Sequence, residues 1–392
     1  MNDSGIGERK TMAQASQPTV LPVPETIGLG ERLAALHRQI LREIPQVDRI
    51  GCALYDPGED LLKTFVNSTL AGEALRGYEF RMSDSRALNE LAQSGRLRLL
   101  NDIPAALSPA TAHSAWVLKE GYRSSLTVPM YGQGTFTGFL FFDSRRRNAF
   151  SDVDQRQLLL YANLVSLLVA GELLIVRALT GSVDVARAFC NLRDFETGAH
   201  LERMARYTRL IAKELAPARG LTDEFVEHVF LFAPLHDVGK VGIPDHVLLK
   251  PGHLDADEWN LMKTHVERGV AIVDRMIADL GLSHLPHVAI LRHIVAGHHE
   301  HLDGSGYPAG ARGDAIPLEA RIVTVADIFD ALTSIRPYKS AWPMGQALDE
   351  LADMVAAGKL DAAAVEALRR RTAEACAVRD RFTDGEPPNK SP

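Results

Sequence analysis

A chain of 392 residues is long for one domain, and its 46 % hydrophobic and 24 % charged content is that of a globular protein able to bury a sizeable core. The net charge of −7 excludes a chain-wide electrostatic affinity for nucleic acid or anionic membranes, so an anionic ligand needs a locally positive site. Three scattered cysteines, Cys52, Cys190 and Cys376, form neither a CxxC pair nor a disulfide framework, which fits a reducing, cytoplasmic compartment.

Residues 1–27 read as a disordered lead-in, polar and rich in Ser, Gln and Pro, without the basic start and apolar stretch of a signal peptide. Helical periodicity then covers Glu31–Ile44, and "DRIGCALYD" at 48–56 is a strand ending in a turn. The stretch 123–144, "RSSLTVPMYGQGTFTGFLFFDS", reads as two strands joined by a hairpin around Gly132 and Gly134. Ser151 or Asp152 caps a long apolar helix. Its most membrane-like part, Leu158–Gly171, is broken by Asn163 and Ser166 and closed by Glu172 and Arg177. That falls short of the roughly 18–20 apolar residues of a membrane span, so a buried or dimer-forming helix is expected. Together these elements predict a central antiparallel sheet with helices packed on it. The pattern resembles a GAF domain, the small-ligand sensor module, over residues 28–170. Cys52, His37 and His113 are too scattered to be read as ligands there, and the sensor's ligand stays open.

Of the 14 histidines, 12 lie between His200 and His301. From Ser182 onward almost every segment has helical spacing, interrupted by loops at 250–255, 303–308 and 313–317. The expectation is multidomain α/β plus all-α: a sensor, a helical connector over 171–191, a helical bundle over 192–385 and a disordered tail, 386–392. The connector suits pairing in a homodimer, although no strict heptad is visible.

"LHDVGK" at 235–240 joins an imidazole to a carboxylate, a pair suited to borderline divalent metals. "ETGAH" puts Glu196 and His200 four residues apart, on one side of a helix. His265 follows the helix start "DADEW", and His298 and His299 follow a helix ending at Gly297. Asp327 stands in the apolar "VTVADIFDAL", where a carboxylate needs a charged partner or a metal. Any one of these has an ordinary reading as a core or surface residue; all of them together require seven or eight coincidences.

"RDFETGAH", "LHDVGKVGIPD", "KPGHLDADEWNLMKTH", "HHEHLDGSGYPAG" and "IPLEARIVTVADIFDALTSIRPYK" together resemble the HD-GYP domain, a subgroup of HD-type metal phosphohydrolases. The resemblance implies hydrolysis of cyclic di-GMP, to pGpG and on to GMP. It implies metal ligands at Glu196, His200, His236, Asp237, His265, His298, His299 and Asp327, holding two or three divalent ions, with iron or manganese expected. Asp237 would bridge two ions, and Glu196 is the position associated with a third. Lys240 would lie beside the reacting phosphate, and Arg336 and Lys339 would hold the ligand's phosphates. Tyr307, in the Gly306-Tyr307-Pro308 loop, either stacks on a guanine or packs the loop. His228, His246, His253, His284, His287, His293 and His301 match no ligand position and read as caps, surface or packed helix residues.

The leading reading is a cytoplasmic cyclic di-GMP phosphodiesterase regulated by its sensor, with a diguanylate cyclase or another signalling protein as the kind of partner implied. The alternative is a catalytically idle module that binds cyclic di-GMP and acts through a protein partner. A generic HD phosphohydrolase for another nucleotide is disfavoured by the GYP and RPYK strings.

Overall fold

The computed structural model describes residues 28–109, 111–189, 198–283, 285–334 and 341–383. The expected lead-in 1–27, the tail 386–392 and the connector's last two residues, Cys190 and Asn191, lie outside the described residues.

The N-terminal half is built on six strands, β1 (Arg49–Asp56), β2 (Leu61–Thr69), β3 (Glu79–Arg81), β4 (Arg98–Leu100), β5 (Ser124–Gly132) and β6 (Thr135–Ser144). They form one antiparallel sheet in the order β3-β2-β1-β6-β5-β4. Five helices accompany them: α1 (Leu29–Glu43), α2 (Arg86–Ser94), α3 (Ile103–Ala106), α4 (Ala112–Lys119) and α5 (Asp152–Phe189). Side chains alternate across the sheet. Ile50, Cys52 and Leu54 of β1 join the core beneath α1 and α5, while Ala53 belongs to the opposite face with Leu62 and Phe139. The strand 48–56, the 123–144 hairpin and the first helix are where the sequence puts them. The short strands β3 and β4, with three residues each, carry too little periodicity to be read beforehand.

The second half holds α6 (Gly198–Arg219), α7 (Asp223–Phe232), α8 (Asp245–Leu248), α9 (Ala256–Lys263) and α10 (His265–Asp279). It continues with α11 (Val288–Gly297), α12 (Leu318–Thr333), α13 (Met344–Ala356), α14 (Ala362–Arg370) and α15 (Thr372–Arg381). One apolar core joins most of them, with Tyr207, Phe232, Ile294, Ile322 and Phe329 fully buried.

Helix α5 serves both cores. Leu158, Ala162, Val165 and Val169 are buried in the sheet's core, and Val176 and Leu179 in the bundle's. It is the one described helix long and apolar enough to cross a membrane, and only 28 % of that window is buried. Its exposed apolar residues explain the remainder. Val153, Leu160, Leu167 and Leu174 recur every seventh residue, with Leu164 between them. A seven-residue stripe on one face of a helix, with the other face already packed on protein, is the pattern of helix pairing.

The sensor and bundle also meet through polar contacts. Glu224 of α7 accepts hydrogen bonds from the backbone N–H groups of Leu29 and Gly30 at 2.9 and 3.1 Å, capping α1 from the other domain. Asp223 accepts from Gly77 N at 2.8 Å, and Arg206 Nε contacts Glu59 at 2.9 Å. Glu79 of β3 pairs with Arg209 and, at 2.8 Å, with Lys213 of α6. Burial alone would raise the Glu79 pKa, but Arg209 and Lys213 outweigh it and hold it at about 2, against an ordinary 4.5. A pKa depressed by folding contributes stability above the unfolded value and loses it as pH falls through the folded one. The Glu79 contribution is therefore complete above pH 4.5 and fades between 4.5 and about 2. Glu79→Gln should lower stability at neutral pH by roughly 2 kcal/mol, because it strands Lys213 and leaves Arg209 with Glu227 alone at a partly buried interface. The same substitution should flatten the acid limb of a thermal-unfolding series across that pH window; an unchanged acid limb would mean Glu79 does not carry it.

Candidate metal centre

The short string His236-Asp237 sits in a tight passage between α7 and α8. Ala233–Leu235 and Val238–Gly242 are both 3-10 turns on either side of it. The passage lies against α10: a Cβ on Gly239 would come within 1.8 Å of the His265 carbonyl oxygen and 2.4 Å of Gly269 N. Only glycine allows that approach, and it brings Asp237 to the start of α10, where His265 stands. His298 and His299 follow the C-terminal end of α11. Asp327 and Asp330 come from α12, three residues apart on one side.

Asp237 is the hub. It is 4 % exposed, and its two oxygens face different groups. Oδ1 lies 3.0 Å from His265 Nε2 and 3.4 Å from His298 Nε2. Oδ2 lies 3.1 Å from His236 Nε2 and 2.7 Å from Lys240 Nζ. Burial would raise the Asp237 pKa, but Lys240 and the histidines hold its carboxyl well below the usual carboxylate range. Despite these separations, Oδ1 accepts no aligned hydrogen bond. Ligand atoms that converge at such distances on an unpaired carboxylate oxygen could hold a cation in their midst. Asp237, His265, His298 and His299 form one such group, and His200, His236 and Asp327 form a second. His200 Nε2 and His236 Nε2 each lie 4.0 Å from Asp327 Oδ1.

The far ring nitrogens are fixed from behind. His236 Nδ1 is 3.0 Å from the Ala233 carbonyl, and His265 Nδ1 is 2.8 Å from that of Met262. His298 Nδ1 meets the carbonyls of Ile294 and Val295 at 3.2 and 3.1 Å. His200 Nδ1 is held at 2.7 Å by Asp330, itself gripped by Arg203 at 2.6 and 3.0 Å. In each case Nδ1 carries the proton and Nε2 is left to ligate, the orientation that outer partners impose on metal-binding histidines. Burial and the neighbouring imidazoles push His299 far below the ordinary histidine range, keeping it neutral and able to coordinate. The donor set of neutral imidazoles and carboxylates without thiolate fits divalent iron, manganese or zinc.

The loop at 300–311 closes one side. A Cβ on Gly306 would lie 2.4–2.5 Å from the backbone of residues 299–301. Glu300 anchors the loop by accepting from Ala309 N at 2.7 Å and Ala311 N at 2.9 Å. Tyr307 packs its ring 4.6 Å from that of His299 and 6.2 Å from that of Trp259.

Residues 30–170 match the GAF domain family, and residues 195–364 match the HD domain family. The chain carries a GAF domain followed by an HD domain. Both are the domains that the sequence implies, the GAF domain by its pattern of elements and the HD domain by its motifs. The response regulator RpfG of Xanthomonas campestris, a cyclic di-GMP phosphodiesterase, is 48 % identical over 191 residues, 48 % of this chain and 47 % of that one. A cyclic di-GMP phosphodiesterase of Thermotoga maritima is 40 % identical over 178 residues, 45 % of each chain. A 3'3'-cGAMP-specific phosphodiesterase of Vibrio cholerae is 45 % identical over 159 residues, 41 % of this chain and 28 % of that one. The chain thus spans less than half the length of these curated relatives. A GAF domain/HD domain protein from Geobacter sulfurreducens is similar at 18 % identity and a TM-score of 0.32, covering 38 % of this chain and 96 % of that one.

Seven of the expected metal ligands, His200, His236, Asp237, His265, His298, His299 and Asp327, fall into the two groups at the HD centre. Lys240 and Tyr307 are beside them. Glu196, Arg336 and Lys339 lie outside the described residues. Asp330, which orients His200, was missed, although a second acid three residues after Asp327 in an apolar helix was its signal. In the GAF domain the fold opens a cavity of about 480 Å³ lined by Arg49, Thr64, Tyr78, Arg98, His113 and Phe141. Burial pushes His113 down to about 4 there, so it faces the cavity as a neutral group. Asp330→Asn should weaken divalent binding at the HD centre by about 10- to 100-fold, the usual cost of removing an orienting partner. Titration of chelator-stripped protein with Mn²⁺, with folding checked by circular dichroism, measures it; unchanged affinity in a folded variant would remove Asp330 from this role.

Proposed function

We propose that the chain is a cytoplasmic phosphodiesterase of the HD-GYP type that opens cyclic di-GMP to pGpG and cleaves that product on to GMP, with its GAF domain as regulator. The observation that carries this reading is the buried Asp237 carboxylate, with its two oxygens turned towards different histidine groups and Lys240 beside it. The substrate is supported by the relatives from Xanthomonas and Thermotoga, 48 % and 40 % identical. When bound, two or three divalent ions, iron or manganese in our reading, would lower the pKa of the attacking water and neutralise the phosphoryl oxygens.

The chain's own groups would do the rest. Asp237 would serve both histidine groups, and His200, His236, His265, His298, His299 and Asp327 would hold the ions with it. Glu196, four positions before His200 in the sequence, would supply a further ligand. Lys240 offers a compact charge to the scissile phosphate, while Arg336 and Lys339 grip the remaining phosphates, the arginine as a planar fork. Tyr307, packed on His299, borders the base. The free thiols Cys52 and Cys376 suit a reducing cytoplasm. A second copy of the chain covers the seven-residue stripe of α5, so the working unit is a homodimer that joins paired sensors to paired HD domains.

A 3'3'-cGAMP specificity is the second reading, favoured by the 45 % identity to the Vibrio cholerae relative. Full-length protein loaded anaerobically with iron or manganese and given each dinucleotide separates the two by chromatography of the products. Cyclic di-GMP should be consumed with GMP as the end product, and Glu196→Gln should let pGpG accumulate. Preference for 3'3'-cGAMP would overturn the substrate, and binding without turnover would leave a signalling module instead of an enzyme. Light scattering should show a dimer that Leu160→Glu with Leu167→Glu converts to monomer; a wild-type monomer at micromolar concentration would overturn the pairing.

A further inference from the structure

The GAF cavity lies over the face of the sheet turned away from α1 and α5. Alternation along β4 puts Arg98 on that face, because its neighbours Leu97 and Leu99 pack on the other. Phe141 comes to the cavity from β6 and His113 from the N-terminal end of α4. At about 480 Å³ the space suits a small organic molecule. Tyr78, His113 and Phe141 make a continuous wall of rings, with successive centroids 5.5 and 6.2 Å apart.

The charges around this space do not balance. Arg49 is paired with Asp143, which also accepts from Ser125 Oγ at 2.6 Å. Asp84 lines the cavity too, but it is exposed and pairs with neither arginine. Arg98 forms no ion pair with any described residue, and its Nε is buried without a hydrogen-bond partner. Burial, with no carboxylate to offset it, holds the Arg98 guanidinium below its ordinary range. His113 is neutral and adds no second charge. A guanidinium kept from water is costly until an anion meets it, and one unmatched cation fits one negative charge.

The hydroxyls of the lining are already committed. Ser85 accepts from Leu88 N at 3.3 Å, Thr64 Oγ1 accepts from Tyr78 N at 3.1 Å, and Thr111 and Ser114 exchange the capping hydrogen bonds of α4. That leaves little to read the edge of a base or the hydroxyls of a sugar, so an apolar ring is better served than a nucleotide.

The segment 77–80 runs between the cavity and the bundle. Tyr78 and Phe80 line the cavity, while Gly77 N donates to Asp223 of α7 and Glu79 pairs with Arg209 and Lys213 of α6. Alternate residues therefore face the ligand space and the HD domain. Helix α6 also carries His200 of the metal centre.

We propose that this cavity binds a singly charged aromatic carboxylate, with its carboxylate on Arg98 and its ring against Tyr78, His113 and Phe141, and that the segment 77–80 relays its presence to α6. This deepens the reading of the GAF domain as regulator, on which the relay alone rests.

Calorimetry on the full-length chain tests it with benzoate, indole-3-acetate and 2-naphthoate, each against its uncharged amide. At least one acid should bind once per chain, and its amide about 10- to 100-fold more weakly, the usual contribution of a charge-assisted pair. Arg98→Gln should bring that acid down to the affinity of its amide and leave the amide unchanged. No binding by any acid, equal binding of acid and amide, or tighter binding of cyclic GMP would overturn the site. The comparison of acid with amide in wild type decides the matter even if the variant does not fold. Hydrogen exchange should slow at 77–80 and in α6 when the acid binds, and protection confined to the cavity would overturn the relay. Neither readout involves turnover of cyclic di-GMP, so this proposal and the reading of the HD centre can fail separately.

Discussion

A carboxylate buried among imidazoles sets the terms for the whole second half of the molecule. Asp237 is almost sealed from solvent, and a charge in that position would cost several kcal/mol if nothing met it. Lys240 from the next turn meets it with a charge of its own, and the Nε2 atoms of His236, His265 and His298 converge on the same carboxylate from its own turn, the start of α10 and the end of α11. A cation held among them would complete the balance and tie these segments to one another. The glycines follow from the same constraint. Gly239 lets the turn reach α10, and Gly306 lets the loop lie on the backbone that carries His299.

The arrangement also explains why the orienting contacts are mostly backbone carbonyls. A carbonyl behind Nδ1 fixes the tautomer without adding charge to a crowded site. His200 is the exception, held by Asp330, and there Arg203 balances the extra carboxylate. Attachment of the GAF domain uses a different principle. Beyond the apolar packing of α5 in both cores, its contacts with the bundle include ion pairs and a helix cap exchanged between domains, around Glu79, Asp223 and Glu224. Such polar interfaces can be altered without unfolding either core.

How much of this was legible in the sequence follows from how local each feature is. The motif strings could be read because most place a histidine or acid at a helix end or turn, with Asp327 inside α12 marked instead by its apolar surroundings, and the GAF sheet could be read where strands are long and alternate, as in β1, β5 and β6. Asp330 escaped because its role depends on His200, 130 positions away. The stripe on α5 was hidden for another reason. That helix is apolar on two faces, one packed on the cores and one bare, so the two periodicities overlap and no heptad stands out until burial separates them. The RPYK string and Glu196 lie outside the described residues, and their roles rest on the resemblance alone.

The central claim is that Asp237 joins two divalent ions through one carboxylate. Electron paramagnetic resonance of chelator-stripped, full-length protein reloaded with Mn²⁺ addresses it directly, because two manganese ions sharing a bridging ligand are spin-coupled and isolated ions are not. The account predicts a coupled-pair spectrum at saturating Mn²⁺ that collapses to isolated-ion signals in Asp237→Asn. A wild-type spectrum composed only of isolated ions, at any loading, would contradict it.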